Sequence, residues 1–158
     1  MLIRPASAAD APAIWQILEP VIRAGETFAL DQELSEDAAL AFWLANEAFV
    51  AEEQGAVLGT YYLRSNLAGG GAHVCNCGYM VAEHASGRGV ARALCAHSLA
   101  HARSRGYRAM QFNCVVSTNE RAVRLWQSLG FTIIARVPGG FDHPQHGFVD
   151  SLVMYREL

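Results

Sequence analysis

Three groups of residues in this chain have types and spacings that suit chemistry. The first is a turn, Ser86-Gly-Arg-Gly-Val-Ala91, lying between an apolar run and a helix-like run. Glycines at 87 and 89 let backbone N–H groups close on an anion, and the first turn of a helix adds partial positive charge, so the feature suits a phosphate. Arg88 and Arg92 bring full charges beside it. No Gly-Lys-Ser/Thr follows, so it is not a P-loop. Arg92 stands where a dinucleotide fingerprint has its third glycine, so that pattern fits badly. Taken alone, the turn also admits a lesser reading as an ordinary strand-to-helix connection. The second group is a pair of asparagines, Asn76 and Asn113, each inside an apolar run. A buried amide is tolerated only when hydrogen-bonded, so the two either face a polar ligand or pair with each other. The third group is His73-x-Cys75-x-Cys77. It lacks the paired C-x-x-C spacing of structural zinc sites and has only the distant His84 as a further ligand, so no metal is expected. Cys75, Cys77, Cys95 and Cys114 read as reduced, buried thiols without an activating partner.

The elements that must position these residues follow from periodicity. Leu2–Pro5 reads as a short strand, and Ser7-x-x-Asp10 opens a helix with Ile14, Ile17, Leu18, Val21 and Ile22 on one face. Pro20 is expected to kink or end that helix near Glu19. After a loop at 25–28, Ser35 opens a second helix reaching about Ala45. Two strands, Phe49–Glu53 and Val57–Arg64, flank a Gln54-Gly55 turn. Following a loop at 66–71, Val74–Val81 shows little polar alternation and reads as a central strand. A helix from about Val90 to Arg105 buries Val90, Ala91, Leu94, Cys95, Ser98, Leu99 and Ala102, and Gly106 stops it. Ala109–Val116 is another apolar strand. A capping box, Ser117-x-x-Glu120, then opens a helix whose buried face is Ala122, Val123, Leu125, Trp126 and Leu129. Two last strands, Phe131–Val137 and Val149–Arg156, flank a turn-rich segment at 139–147 that is too long for a simple hairpin. The fold class is therefore α/β (mixed α+β), with residues 1–158 forming a single domain around one sheet.

Composition narrows the function classes. Apolar residues make up 52% of the 158, enough for a sizeable core, while no run approaches the ~18 apolar residues of a membrane span. The start carries no basic stretch followed by an apolar leader, and a cytoplasmic location is expected. Charge is unevenly spread. Residues 1–53 hold ten carboxylates against Arg4 and Arg23, whereas residues 84–136 hold eight arginines against Glu120 alone. That split favours an anionic ligand near the second segment. A net charge of −3 with no basic face interleaved with aromatics argues against nucleic acid.

Two runs carry a family resemblance. Tyr79-Met-Val-Ala-Glu-His-Ala-Ser-Gly-Arg-Gly-Val-Ala-Arg-Ala-Leu94 resembles the acyl-CoA-binding motif of the GNAT acyltransferases. Asn119-Glu-Arg-Ala-Val-Arg-Leu-Trp-Gln-Ser-Leu-Gly-Phe131 resembles the downstream signature of the same family. The resemblance implies a GNAT-like fold with a mostly antiparallel sheet of about seven strands and four helices. It also implies acetyl-CoA as co-substrate and an N-acetyltransferase that moves acetyl by direct attack to the primary or secondary amine of a small molecule, an amino acid or analogue. The pyrophosphate would lie on the backbone of Ser86, Gly87, Arg88, Gly89, Val90 and Ala91. The pantetheine arm would run along Tyr79, Met80 and Val81 where this strand splays from the 109–116 strand, with Asn119 and Trp126 beside it. Arg88, Arg92, Arg121 and Arg124 are candidates for the 3′-phosphate, at least two of them being better read as solvated helix charges.

The sequence departs from that pattern at two positions. Ser86 replaces the usual Gln or Arg, which removes a side-chain contact and spares the backbone cradle. Trp126 replaces a tyrosine thought to protonate the departing thiolate, and an indole N–H cannot release that proton. Water, the amine's own proton or Tyr79 must then serve. The runs are also similar to a fungal subgroup that acetylates proline analogues such as azetidine-2-carboxylate. There the residues matching Asn76, Tyr79 and Asn113 line the acceptor pocket, and Phe28 and Cys114 complete the acceptor-facing set here. Glu26 is the leading general base, because the loop that holds it commonly covers the acceptor in this family; His73 is a second candidate. A backbone N–H near Met80 is the expected oxyanion donor. His143 and His146 sit on a segment suited to gating or to a homodimer contact. Two other readings stay open: a non-catalytic acyl-CoA-binding regulatory module and a protein N-acetyltransferase. A nicotinamide-dependent oxidoreductase is disfavoured by the poor fingerprint.

Overall fold

Alternation along the strand segments and glycines at their ends produce eleven main elements, and the computed structural model describes all of residues 1–158. In chain order these are β1 (Leu2–Pro5), α1 (Ala11–Ala24), α2 (Glu36–Leu44), β2 (Glu47–Glu53), β3 (Ala56–Ser65), β4 (Val74–Val81), α3 (Val90–Ser104), β5 (Ala109–Val116), α4 (Glu120–Ser128), β6 (Thr132–His143) and β7 (Gly147–Glu157). One seven-stranded sheet runs in the order β1-β2-β3-β4-β5-β7-β6. Every neighbouring pair is antiparallel except β4 and β5.

The sheet carries helices on both faces. On one side α1 and α2 bury Ile14, Ile17, Leu18, Ile22, Ala39 and Trp43 against Val50, Tyr62 and Met80. On the other, Leu94, Cys95, Leu99 and Ala102 of α3 and Trp126 of α4 join Leu58, Tyr61, Leu63, Cys75, Cys77 and Phe112. A buried chain of bonds ties α2 to the sheet: Trp43 Nε1 donates to Thr60 Oγ1 at 2.9 Å, which donates to the Phe49 carbonyl at 2.8 Å. At the sheet edge Arg4 reaches Asp10 at 2.8 and 2.9 Å and Glu52 at 2.8 Å, joining β1, the start of α1 and β2.

Four sequence expectations change. Helix α1 does not stop at Pro20 but runs to Ala24, where Gly25 (φ 65°) donates its N–H to the Val21 carbonyl at 3.3 Å. Pro20 and Gln16 lie on the exposed side while Ile17, Leu18 and Ile22 hold the helix to the sheet, so the missing hydrogen bond falls where water reaches it. Helix α4 is capped by Asn119, whose side chain accepts from the Ala122 N–H, not by Ser117; the Ser117 N–H is bonded to the Asp150 carbonyl of β7. Within α4 only Trp126 is fully buried; Ala122, Val123, Leu125 and Leu129 stay half-exposed, Ala122 and Leu125 because they border an open cleft. Finally, segment 139–147 is a hairpin after all: Phe141 pairs with Val149, Asp142 with Phe148 and His143 with Gly147, and a register shift after Val137 absorbs the extra length.

Candidate active site

The site begins where one ladder fails. Strands β4 and β5 pair only at Val74–Ala109 and Cys75–Met110 and then part. Two features open the fork. In β5 the register against β7 moves by one residue between Phe112–Met154 and Val115–Leu152, so Asn113 and Cys114 together oppose Val153. Such a bulge bends its strand. At the branch point, the Asn76 Nδ2 donates to the Gln111 carbonyl at 2.9 Å, so a side chain bridges the strands where the backbone ladder ends.

Strand β4 stays fully paired with β3 on its other side. The Ala82 N–H bonds the Leu58 carbonyl at one end and the Asn66 N–H bonds the Val74 carbonyl at the other. By the two-residue alternation of antiparallel pairs, the backbone groups of Asn76, Gly78 and Met80 therefore face β3. Those of Tyr79 and Val81 face the fork. The Met80 N–H is thus engaged with β3, and the donors available to an oxyanion are its neighbours on either side.

Beyond β4 the chain enters the glycine turn. Gly87 and Gly89 have φ of 81° and 80°, in the left-handed region that favours glycine. Gly89 is the N-cap of α3, and a side chain there would meet no atom within 4 Å, so backbone conformation, not crowding, selects glycine. The N–H groups of Gly87, Gly89, Val90, Ala91 and Arg92 have no backbone acceptor, whereas the Arg88 N–H bonds the Ala85 carbonyl at 3.3 Å. Five free donors converging at a helix start form an anion cradle. Arg121 reaches across from α4 to Ser86 Oγ at 3.0 Å, and Arg92 bonds Ser128 Oγ at 2.8 Å. The Arg88 guanidinium turns away to Glu53 on β2. Arg124 is paired with Glu120 at 3.1 Å on the exposed face.

A single cleft of about 990 Å³ joins cradle and fork. Of the residues singled out in sequence, it brings together Phe28, Asn76, Tyr79, Met80, Val81, Ser86, Gly87, Gly89, Val90, Ala91, Asn113, Cys114, Asn119 and Trp126. Arg88 and Glu26 are not on its wall. The loop after α1 meets the cleft with Thr27–Leu30. His73 is exposed at the start of β4, and neither it, His143 nor His146 borders the cleft. Its wall contains no aspartate, glutamate or histidine.

The two asparagines do not bond to each other. Asn76 is 5% exposed, with its amino group held by Gln111 and its Oδ1 3.4 Å from the Tyr62 hydroxyl. Asn113 is exposed on the bulge, where it donates to Asn66 Oδ1 at 2.7 Å and accepts from Gln111 Nε2 at 3.0 Å. The Tyr79 ring lies 5.1 Å from Trp126, but its hydroxyl is 2.7 Å from Ser98 Oγ on α3. Burial pushes the Tyr79 phenol well above its ordinary value, which makes it a poor proton donor to a thiolate. Burial likewise raises the Cys77 and Cys114 thiols, so neither is held as a nucleophilic thiolate.

Sequence reading missed Arg64, Phe42 and Tyr62, which line the cleft on the side of the α1–α2 loop. The only signal was Arg64 at the end of an otherwise apolar strand run.

A cleft that pairs a helix-start anion cradle with splayed parallel strands suits an extended, phosphate-bearing ligand lying along a free strand edge. Comparison with known proteins agrees. The family model described as acetyltransferase (GNAT) family matches residues 13–131. A GCN5-related N-acetyltransferase from Kribbella flavida is 45% identical, with a TM-score of 0.96 over 99% of this chain and 97% of that one. The yncA protein of Salmonella typhimurium, solved with its cofactor acetyl-CoA, is 27% identical with a TM-score of 0.88, covering 100% of this chain and 94% of that one. N-acetyltransferase aca1 of Schizosaccharomyces pombe is 32% identical over 98 residues, 61% of this chain and 47% of the fungal protein. The matched stretch thus spans about half of that relative. The chain belongs to the acetyltransferase (GNAT) family, a family of acetyl-CoA-dependent acyltransferases.

Proposed function

We propose that the protein is an N-acetyltransferase moving acetyl from acetyl-CoA to the amine of a small molecule by direct attack. The observation that carries this reading is the continuity of the cleft: one cavity runs from the N–H cradle at Gly87–Arg92 through the β4–β5 fork to a pocket beneath the α1–α2 loop. The cradle residues would hold the pyrophosphate, with Arg121 and Arg92 beside it as phosphate partners. The free edge of β4 at Tyr79 and Val81 would pair with the pantetheine amides as an added strand. The acetyl group then lies at the fork, where whichever of the Tyr79 and Val81 N–H groups is not paired with a pantetheine amide can stabilise the oxyanion formed as the amine attacks. Asn76 props the fork open and positions these donors; Phe28, Asn113 and Cys114 border the acceptor.

No acid or imidazole on the cleft wall can take the amine's proton, so ordered water is the base in this reading, and the thiolate is protonated from water or by the amine's own proton. Trp126 packs against Tyr79 and Phe112 as a wall, at 5.1 and 5.2 Å between ring centres. The same lack of acid–base groups favours a second reading, an acyl-CoA-binding module without turnover. A thermal-shift titration separates binding from its absence, since a ligand of the native state raises the melting temperature. We expect acetyl-CoA and CoA to raise it and NADPH to leave it unchanged. Thiol release in a panel of amines then decides: acceptor-dependent release supports the transferase, and binding without release supports the module.

A further inference from the structure

We infer that Arg64 is the recognition group for a carboxylate on the acceptor, so that the substrate is an amine bearing a carboxylate, of amino-acid type. This rests on the transferase reading above and adds the specificity element to it. Four charged side chains border the cleft: Arg64, Arg92, Arg121 and Arg124. The last three cluster around the cradle and α4, each hydrogen-bonded to a serine or glutamate. Arg64 lies apart from them, on β3, directly opposite Asn76 and so beside the mouth of the fork. Facing pairs on an antiparallel ladder put both side chains on one face about 5 Å apart.

The guanidinium of Arg64 has no ion pair and no hydrogen bond, yet it is held. Its central carbon stands 5.5 Å from the centre of the Phe42 ring and 5.7 Å from that of Tyr62. The two rings meet edge to face at 5.4 Å. The Tyr62 ring is in turn fixed over Gly78, where any side chain would come within 2.6 Å of it. Stacking on aromatic faces orients the planar fork without engaging its five N–H donors. Arg64 is an exposed residue on the rim of the cleft, and an oriented, unpartnered fork there, with no carboxylate on the cleft wall to engage it, suits a planar carboxylate taken two-pronged. The acceptor nitrogen, a few bonds from that carboxylate, then points along Asn76 into the fork.

The test compares one amino acid that serves as acceptor with its carboxamide and its decarboxylated amine, in the wild type, R64K and R64M. We expect the wild type to favour the acid by about 10- to 100-fold in kcat/KM, the usual weight of a charge-assisted contact. In R64M that preference should collapse through acceptor KM, while the acetyl-CoA-induced thermal shift persists and certifies the fold. R64K should retain part of the preference. Equal use of acid and amide by the wild type, or equal losses on both in R64M, would overturn the assignment and leave the transferase standing. A peptide N-terminus used better than any free amino acid would also overturn it. No transfer to any amine would instead remove the transferase reading, and this one with it.

Discussion

At the scale of single residues, the site is defined as much by what its side chains are already doing as by their types. Tyr79 has the right chemistry for an acid, but its hydroxyl is occupied at Ser98 and burial makes its proton harder to lose. With no carboxylate or imidazole on the cleft wall, protonation of the acceptor itself should control the rate. The kcat/KM profile is therefore expected to rise with pH following the acceptor amine's own pKa, with no separate break between about pH 5 and 7 where a catalytic carboxylate or histidine would titrate. Y79F should show the same profile and a kcat within a few-fold of wild type. A new break in the wild type, or a loss of about 100-fold in Y79F, would return the proton chemistry to a side chain.

Elements matter because the chemistry sits between two of them. The β4–β5 fork has three local causes: the short parallel pairing, the Asn113–Cys114 bulge and the Asn76 bridge. Asn76 is therefore a positioning residue, and N76A leaves the Gln111 carbonyl without its donor. We expect N76A to lose about 1 kcal/mol of stability and to weaken acetyl-CoA binding and turnover together. N113A, altered on an exposed bulge, should raise acceptor KM while leaving acetyl-CoA affinity nearly unchanged. Calorimetric titration with acetyl-CoA beside steady-state kinetics separates the two. If N76A changed acceptor KM alone, its amide would be touching substrate instead of holding the strands.

Over the whole molecule, the sheet edge remote from the fork is tied down by charge. Arg4 binds β1, the start of α1 and β2 into one corner through Asp10 and Glu52. Arg4's hydrogen bonds hold the Asp10 carboxyl far below the usual carboxylate range, burial acting the other way. A depressed carboxyl stabilises the fold fully above its unfolded pKa of about 4 and loses that contribution only as pH falls through the lower folded value. Denaturant melts of wild type and D10N should differ by a constant amount from about pH 8 to 5, and the gap should narrow below about pH 4. A gap that widened on acidification would contradict the sign. Beneath α2, T60V strands the buried Trp43 N–H, and a loss of about 1–3 kcal/mol is expected in the same melts.

Much of this was legible from the chain itself. Local rules govern the Gly87 and Gly89 turn, the Gln54-Gly55 hairpin and the apolar faces of α1 and α3, because backbone sterics and 3.6-residue periodicity act over a few neighbours. Pro20 and Ser117 were read less well. Each depends on a partner far away in sequence: the sheet that carries α1 through Pro20, and the β7 carbonyl of Asp150 that engages Ser117. Only the tertiary structure decided that Asn76 braces the strands, that Tyr79 faces Ser98, and that Arg64 stands free on Phe42 and Tyr62. Residue types and spacing determine which groups are available. Which of them remain unpartnered, and so free to meet a ligand, is set by contacts between segments that the sequence keeps apart.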